Sequence, residues 1–145
     1  MSEPIAIRPP AWYWLVSGLF LLWSLAGCLA CYVQLTIDAD GLAALPPAQR
    51  DAWEAMTLLP KAAYIVAVAA GLAGAIELLL HKRLARALFI LSLAAVLVQF
   101  GWFFGPYGGL GKLGASAAAF PAFIIAVSIA EIWFAGLAIS RGWLR

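Results

Sequence analysis

The stretch AAFPAFIIAVSIAEIWFAGLAI, residues 118–139, carries one charged side chain, Glu131, in an otherwise apolar run. At about 1.5 Å of rise per residue, a helix of that length crosses a hydrocarbon layer about 30 Å thick. Working outward, three further runs have the same character: Ala87–Phe104, Ala62–Leu80 and Trp12–Leu35. The apolar character is continuous rather than alternating, which argues against β-barrel strands. An all-α, four-transmembrane-helix bundle is therefore expected, one integral membrane domain over residues 1–145 with helices near 12–35, 62–80, 87–104 and 118–139. Composition agrees: 66% of the 145 residues are hydrophobic and only 11% are charged, too apolar for an ordinary soluble domain.

The basic residues fall unevenly between the connections. Arg8 precedes the first run, Lys82, Arg83 and Arg86 lie between the second and third, and Arg141 and Arg145 follow the fourth. The opposite side has Arg50, Lys61 and Lys112, with Asp38, Asp40, Asp51 and Glu54. The positive-inside rule then predicts both termini in the cytoplasm. Trp12, Tyr13, Trp14 and Trp143 are expected at the inner interface, with Trp102 and Tyr107 at the outer one. The net charge of +2 is this loop bias, and no nucleic-acid surface is expected. Leu25-Ala26-Gly27-Cys28 after an apolar stretch has the look of a lipoprotein signal. The run continues past the cysteine to Leu35, so a retained span is expected instead.

Between the first two spans, Pro46-Pro47 can open a helix and Pro60 can end it. Trp53, Met56 and Pro60 would share one face of it, with Arg50, Asp51 and Glu54 turned elsewhere: a short amphipathic external segment. The connection between spans three and four holds Gly105, Gly108, Gly109, Gly111 and Gly114. It is not a phosphate loop, because Pro106 replaces the first glycine and Leu113 the magnesium-binding hydroxyl. A flexible loop is expected there. Tyr64–Val68 echoes Phe123–Val127, and Tyr32–Leu35 echoes Leu97–Phe100, a pattern that a duplicated hairpin or the restricted alphabet can both produce.

Glu131 is the most informative polar residue. A charge at membrane depth is expensive, so an intramembrane acid is a functional-site hypothesis by default. It can act as a protonation switch, or link helices through Arg86 or Ser92. Glu77 has His81 at i+4, a spacing that suits a structural pair or a proton relay. Gln34 and Gln99, with Ser24, Ser92 and Ser128, can line a polar groove or bridge helices, and Trp23 or Trp102 would give a sugar an aromatic platform. Cys28 and Cys31 form a C-x-x-C inside a span, whereas redox pairs open a helix, so packing residues are expected. The lone His81 gives no bis-histidine haem within one chain, no Cys/His set has zinc spacing, and no nucleophilic triad can be assembled. No cofactor, no metal and no enzymatic activity are expected. Small residues form stripes: Ala63, Ala67, Gly71 and Ala75 with Gly74 in span two, and Ala122, Ala126 and Ala130 in span four. Such stripes allow close helix packing, and a surplus beyond the bundle's needs would mark a partner or oligomer interface.

Several segments resemble a family of small proteobacterial inner-membrane proteins of about this length. They are Pro10-Ala11-Trp12-Tyr13-Trp14, Ala44-Leu45-Pro46, Leu88–Gln99 and the closing Arg141-Gly142-Trp143-Leu144. Members are labelled sugar transporters or left uncharacterised. The resemblance implies a multi-pass protein of the bacterial inner membrane and supplies no site residues. Two functions are compatible with the residues. One is a non-catalytic accessory or self-associating subunit whose partner is another membrane protein or a second copy. The other is an oligomeric small-solute or proton-coupled transporter using Glu131. They differ in one structural requirement: a transporter needs its polar residues gathered on a cavity.

Overall fold

A computed structural model describes residues 7–145, and helices joined by short connections make up the described chain. In chain order these are α1 (Ala11–Leu35), α2 (Ala39–Ala44), α3 (Pro47–Ala55), α4 (Leu58–Leu79), α5 (Leu84–Phe104), α6 (Gly109–Leu113) and α7 (Ala119–Ser140), with a 3-10 turn at Ala115–Ala118 before α7. Four of them, α1, α4, α5 and α7 with its preceding turn, are long and apolar enough to cross a membrane. The chain is thus a helical bundle with the character of a multi-pass membrane protein.

Side-chain size decides how closely these helices approach. On α4, Ala63, Ala67, Ala70, Gly71, Gly74 and Ala75 are all buried. A Cβ at Gly74 would come within 2.8 Å of the Phe89 ring, and one at Gly71 within 3.3 Å of Ser92 Oγ. Glycine therefore sets the α4–α5 spacing, and van der Waals packing, the main force between helices in lipid, follows from it. Helix α1 also packs on α4, and α7 packs on α5. The α1–α7 seam is different, because large rings fill it: Phe134 meets Trp12 at 5.8 Å and Phe20 at 5.7 Å, and Trp23 meets Phe123 at 5.5 Å. On α7 the buried line is Pro121, Ser128, Glu131, Phe134, Ala135 and Ala138, whereas Ala122, Ala126 and Ala130 are exposed.

The end of the bundle where α1 begins and α7 finishes is tightly closed. Helix α4 finishes in a Schellman motif, with Lys82 N–H donating to Glu77 O (2.9 Å) and His81 N–H to Leu78 O (3.2 Å). Helix α7 ends the same way through Trp143 N–H to Ala138 O (2.9 Å) and Gly142 N–H to Ile139 O (3.0 Å). The left-handed position is Gly142 in the second motif (φ 74°) and His81 in the first (φ 60°). The two ends are then tied together: Arg145 N–H donates to His81 O (2.7 Å) and Arg83 N–H to Arg145 O (3.0 Å). Tyr13, fully buried, donates its hydroxyl to Leu78 O and packs against Phe134, Trp143 and His81. Tyr13 and Trp143 are thus core residues, although their positions in the sequence suit an interfacial belt. Trp12 and Trp14 are each a little under half exposed.

The opposite, loop end is more structured than the sequence suggests. Asp38 caps the extra helix α2 by accepting from Gly41 N–H (2.7 Å). Arg50 donates to the last carbonyls of that segment, at Leu42, Ala43 and Leu45. Pro47 opens α3, but α3 ends at Ala55, and Pro60 sits in the first turn of α4 instead of ending the preceding helix. The reason is that a first-turn residue has no helical carbonyl partner for its N–H, so proline costs nothing there. The glycine-rich connection is no featureless loop. Gly109 packs under the Phe103 ring with no room for a Cβ, and α6 starts there.

Candidate functional site

Holding α1 and α7 apart with rings leaves space between the four long helices toward the loop end. The result is a cavity of about 1060 Å³. Helix α3 covers it with Gln49, Ala52 and Trp53, and the 3-10 turn adds Ser116 and Ala117. Trp53 is fixed over the opening by donating Nε1–H to Gln34 O (2.9 Å), and Lys61 Nζ lies 5.1 Å from its ring centre. This is the amphipathic segment at work: Trp53, Met56 and Pro60 all face the cavity, while Asp51 and Glu54 are exposed.

The wall is mostly apolar and aromatic, and the polar groups deep on it come from three different helices. Ser24 and Gln34 on α1, Ser92 and Gln99 on α5, and Ser128 and Glu131 on α7 all line it, beside Gly71 of α4. At mid-depth the absence of a side chain at Gly71 brings Ser24 and Ser92 to one level, since a Cβ there would be 3.9 Å and 3.3 Å from the two hydroxyl oxygens. Two of the hydroxyl protons are already used: Ser92 donates to Ala67 O (2.7 Å) and Ser128 to Ile124 O (2.9 Å).

Glu131 lies twelve residues into α7, about 18 Å along the helix from its loop-end start. Its residue is 3% exposed, and Oε1 is buried without a hydrogen-bond partner. Neither sequence candidate for a partner reaches it. The Arg86 guanidinium lies against Gly136, about 3.5 Å from where a Cβ would stand, and Ser92 is bonded to Ala67. Glu77 is outside the cavity and does not pair with His81, because the left-handed turn carries the imidazole away to Trp143 O (Nδ1 at 3.1 Å) and onto Tyr13. Cys28 Sγ donates to Val68 O (3.5 Å), Cys31 is buried, and both thiols are free. Among the described residues no three His, Cys, Asp or Glu side chains gather as metal ligands.

Sequence reasoning missed the contribution of α3 and Tyr64, and the depth of the cavity. The signal was present in the apolar Trp53, Met56 and Pro60, although the structure divides them between α3, its C-cap and the first turn of α4. No protein-family model, curated protein or solved structure matches the chain.

Proposed function

We propose that this protein is a small membrane carrier that takes a solute into the cavity between its four spans, with Glu131 as the polar anchor at the deep end. One observation carries the reading: a buried carboxyl oxygen without a partner lies on a cavity that also collects Gln34, Gln99, Ser24, Ser92 and Ser128. Buried polar groups are normally satisfied, and an unsatisfied one costs about 1–3 kcal/mol. A bundle serving only as a packing subunit has no use for that cost, whereas a solute that bonds the carboxyl offsets it. In this reading both termini face the cytoplasm of a bacterial inner membrane and the cavity faces outward. The excess of Lys and Arg at the terminal end supports that orientation. So does Arg50, the basic residue of α3, whose guanidinium is spent on α2 carbonyls.

The test is water access. With Cys28 and Cys31 replaced by alanine, Gln99→Cys and Ser128→Cys should react with a hydrophilic thiol reagent added on the loop side, and lipid-facing Leu97→Cys should not. If both cavity cysteines resist as Leu97→Cys does, no solute path exists and the carrier reading fails. A second reading, an accessory or self-associating subunit, draws on the exposed Ala122, Ala126 and Ala130, a small-residue face that the bundle leaves unused. Affinity purification in mild detergent, followed by mass spectrometry, would reveal a stoichiometric partner.

A further inference from the structure

Resting on the carrier reading, we propose that the solute is an organic monocation: a protonated amine or onium group on an apolar body, with the charge held by Glu131.

The charge balance of the wall comes first. Among the described residues Glu131 is the one carboxylic acid on it, and no Lys, Arg or His lines it. Of the nearby cations, Lys61 lies over Trp53 and Lys112 over the Tyr107 ring at 4.0 Å, while the Arg86 guanidinium stands beside Gly136 and is not part of the wall. An anion entering this space would find no counter-charge and would lose its hydration. A cation would find an unpartnered carboxyl oxygen in surroundings where Coulomb attraction is weakly screened.

The rest of the wall suits such a guest. Trp23, Trp53, Tyr64, Phe100, Trp102 and Phe120 reach the cavity from α1, α3, α4, α5 and α7. Aromatic faces attract cations within about 6 Å of the ring centre and also cover apolar surface. The volume, about 1060 Å³, is at the top of the range of about 300–1,000 Å³ for sites that enclose drug-sized molecules.

A sugar fits less well. It needs hydrogen-bond partners spread over its surface, yet the protons of Ser92, Ser128 and Trp53 Nε1 are donated to backbone carbonyls. The amides of Gln34, Gln49 and Gln99 and the Tyr64 hydroxyl add longer polar reach, few groups for a wall that is otherwise apolar and aromatic.

A matched pair of probes tests the sign of the charge. Tetraphenylphosphonium and tetraphenylborate share size and shape and differ in charge. Binding of each to the full chain in phosphatidylcholine nanodiscs is measured with empty nanodiscs subtracted. Saturable binding of the phosphonium, at least tenfold tighter than of the borate, is expected. Glu131→Gln should erase that preference, Glu131→Asp should keep most of it, and Glu77→Gln, outside the cavity, should leave it intact. Equal affinity for the two ions, no binding of either, or full phosphonium binding by a folded Glu131→Gln protein would overturn the proposal. Thiol labelling at Gln99→Cys separates the two levels. Labelling without cation preference refutes the substrate class alone, whereas absence of labelling removes the carrier reading itself.

Discussion

Replacing Gly74 with alanine tests the close packing of α4 on α5. The new methyl would stand 2.8 Å from Phe89 Cδ1 and Cε1, where carbon atoms prefer about 3.5–4.0 Å, so the ring or the helix must yield by about 0.7 Å or more. Phe89 is fully buried between α4 and its neighbours and has nowhere to swing. Overpacking of this kind costs about 1–3 kcal/mol, and the better helix propensity of alanine returns up to about 1 kcal/mol. A net loss of about 1–2 kcal/mol is expected for Gly74→Ala. Gly101→Ala serves as the comparison, because its Cβ would meet nothing within 4 Å, and it should be neutral or slightly stabilising. Equilibrium unfolding in mixed detergent, followed by tryptophan fluorescence, measures both. Phe89→Leu in the Gly74→Ala background should recover part of the loss, a coupling that a double-mutant cycle reads directly. If Gly74→Ala unfolds together with Gly101→Ala and the unmodified protein, α4 and α5 do not approach as described.

Glu131→Met should stabilise the bundle by roughly 1–3 kcal/mol, since it removes a buried acceptor without a partner; a destabilised variant would mean that the carboxyl is bonded after all. Tyr13→Phe removes the hydroxyl donated to Leu78 O and should cost about 0.5–1.5 kcal/mol in the same unfolding assay. At His81 the positive φ makes the order of two variants informative: His81→Gly should be less damaging than His81→Ala by about 1–2 kcal/mol, because both lose the contacts to Trp143 and Tyr13 but only alanine keeps the left-handed strain. The reverse order would place the chain reversal at a different residue.

What could be read from the chain and what could not divide along a physical line. Spans are legible because insertion into hydrocarbon depends on local apolar content, which a one-dimensional string records. The four runs and four long helices therefore agree to within a turn. The largest discrepancy, α4 starting at Leu58 instead of Ala62, comes from a proline that a helix tolerates in its first turn. Glu131 was legible for the same reason: one acid in an apolar run needs no third dimension to be conspicuous. The surroundings of that acid were not legible, because they depend on how far apart helices sit, and that distance is set by pairs remote in sequence. Gly74 against Phe89 brings two helices together; Phe20 against Phe134 and Trp23 against Phe123 hold two others apart. None of these residues is unusual where it stands, and only the pairing gives them a role. The Glu77–His81 spacing illustrates the converse hazard. An i+4 pair implies contact only while the helix continues, and here the chain leaves the helix after Leu79 and turns left-handed at His81. Glu131 differs from Glu77 in this respect, since it sits well inside α7 with its carboxyl oxygen enclosed on the cavity wall. In the carrier reading proposed above, a residue whose isolation survives three-dimensional packing calls for a partner outside the chain. With no basic side chain of the described residues on that wall, a cation is the partner we propose for it.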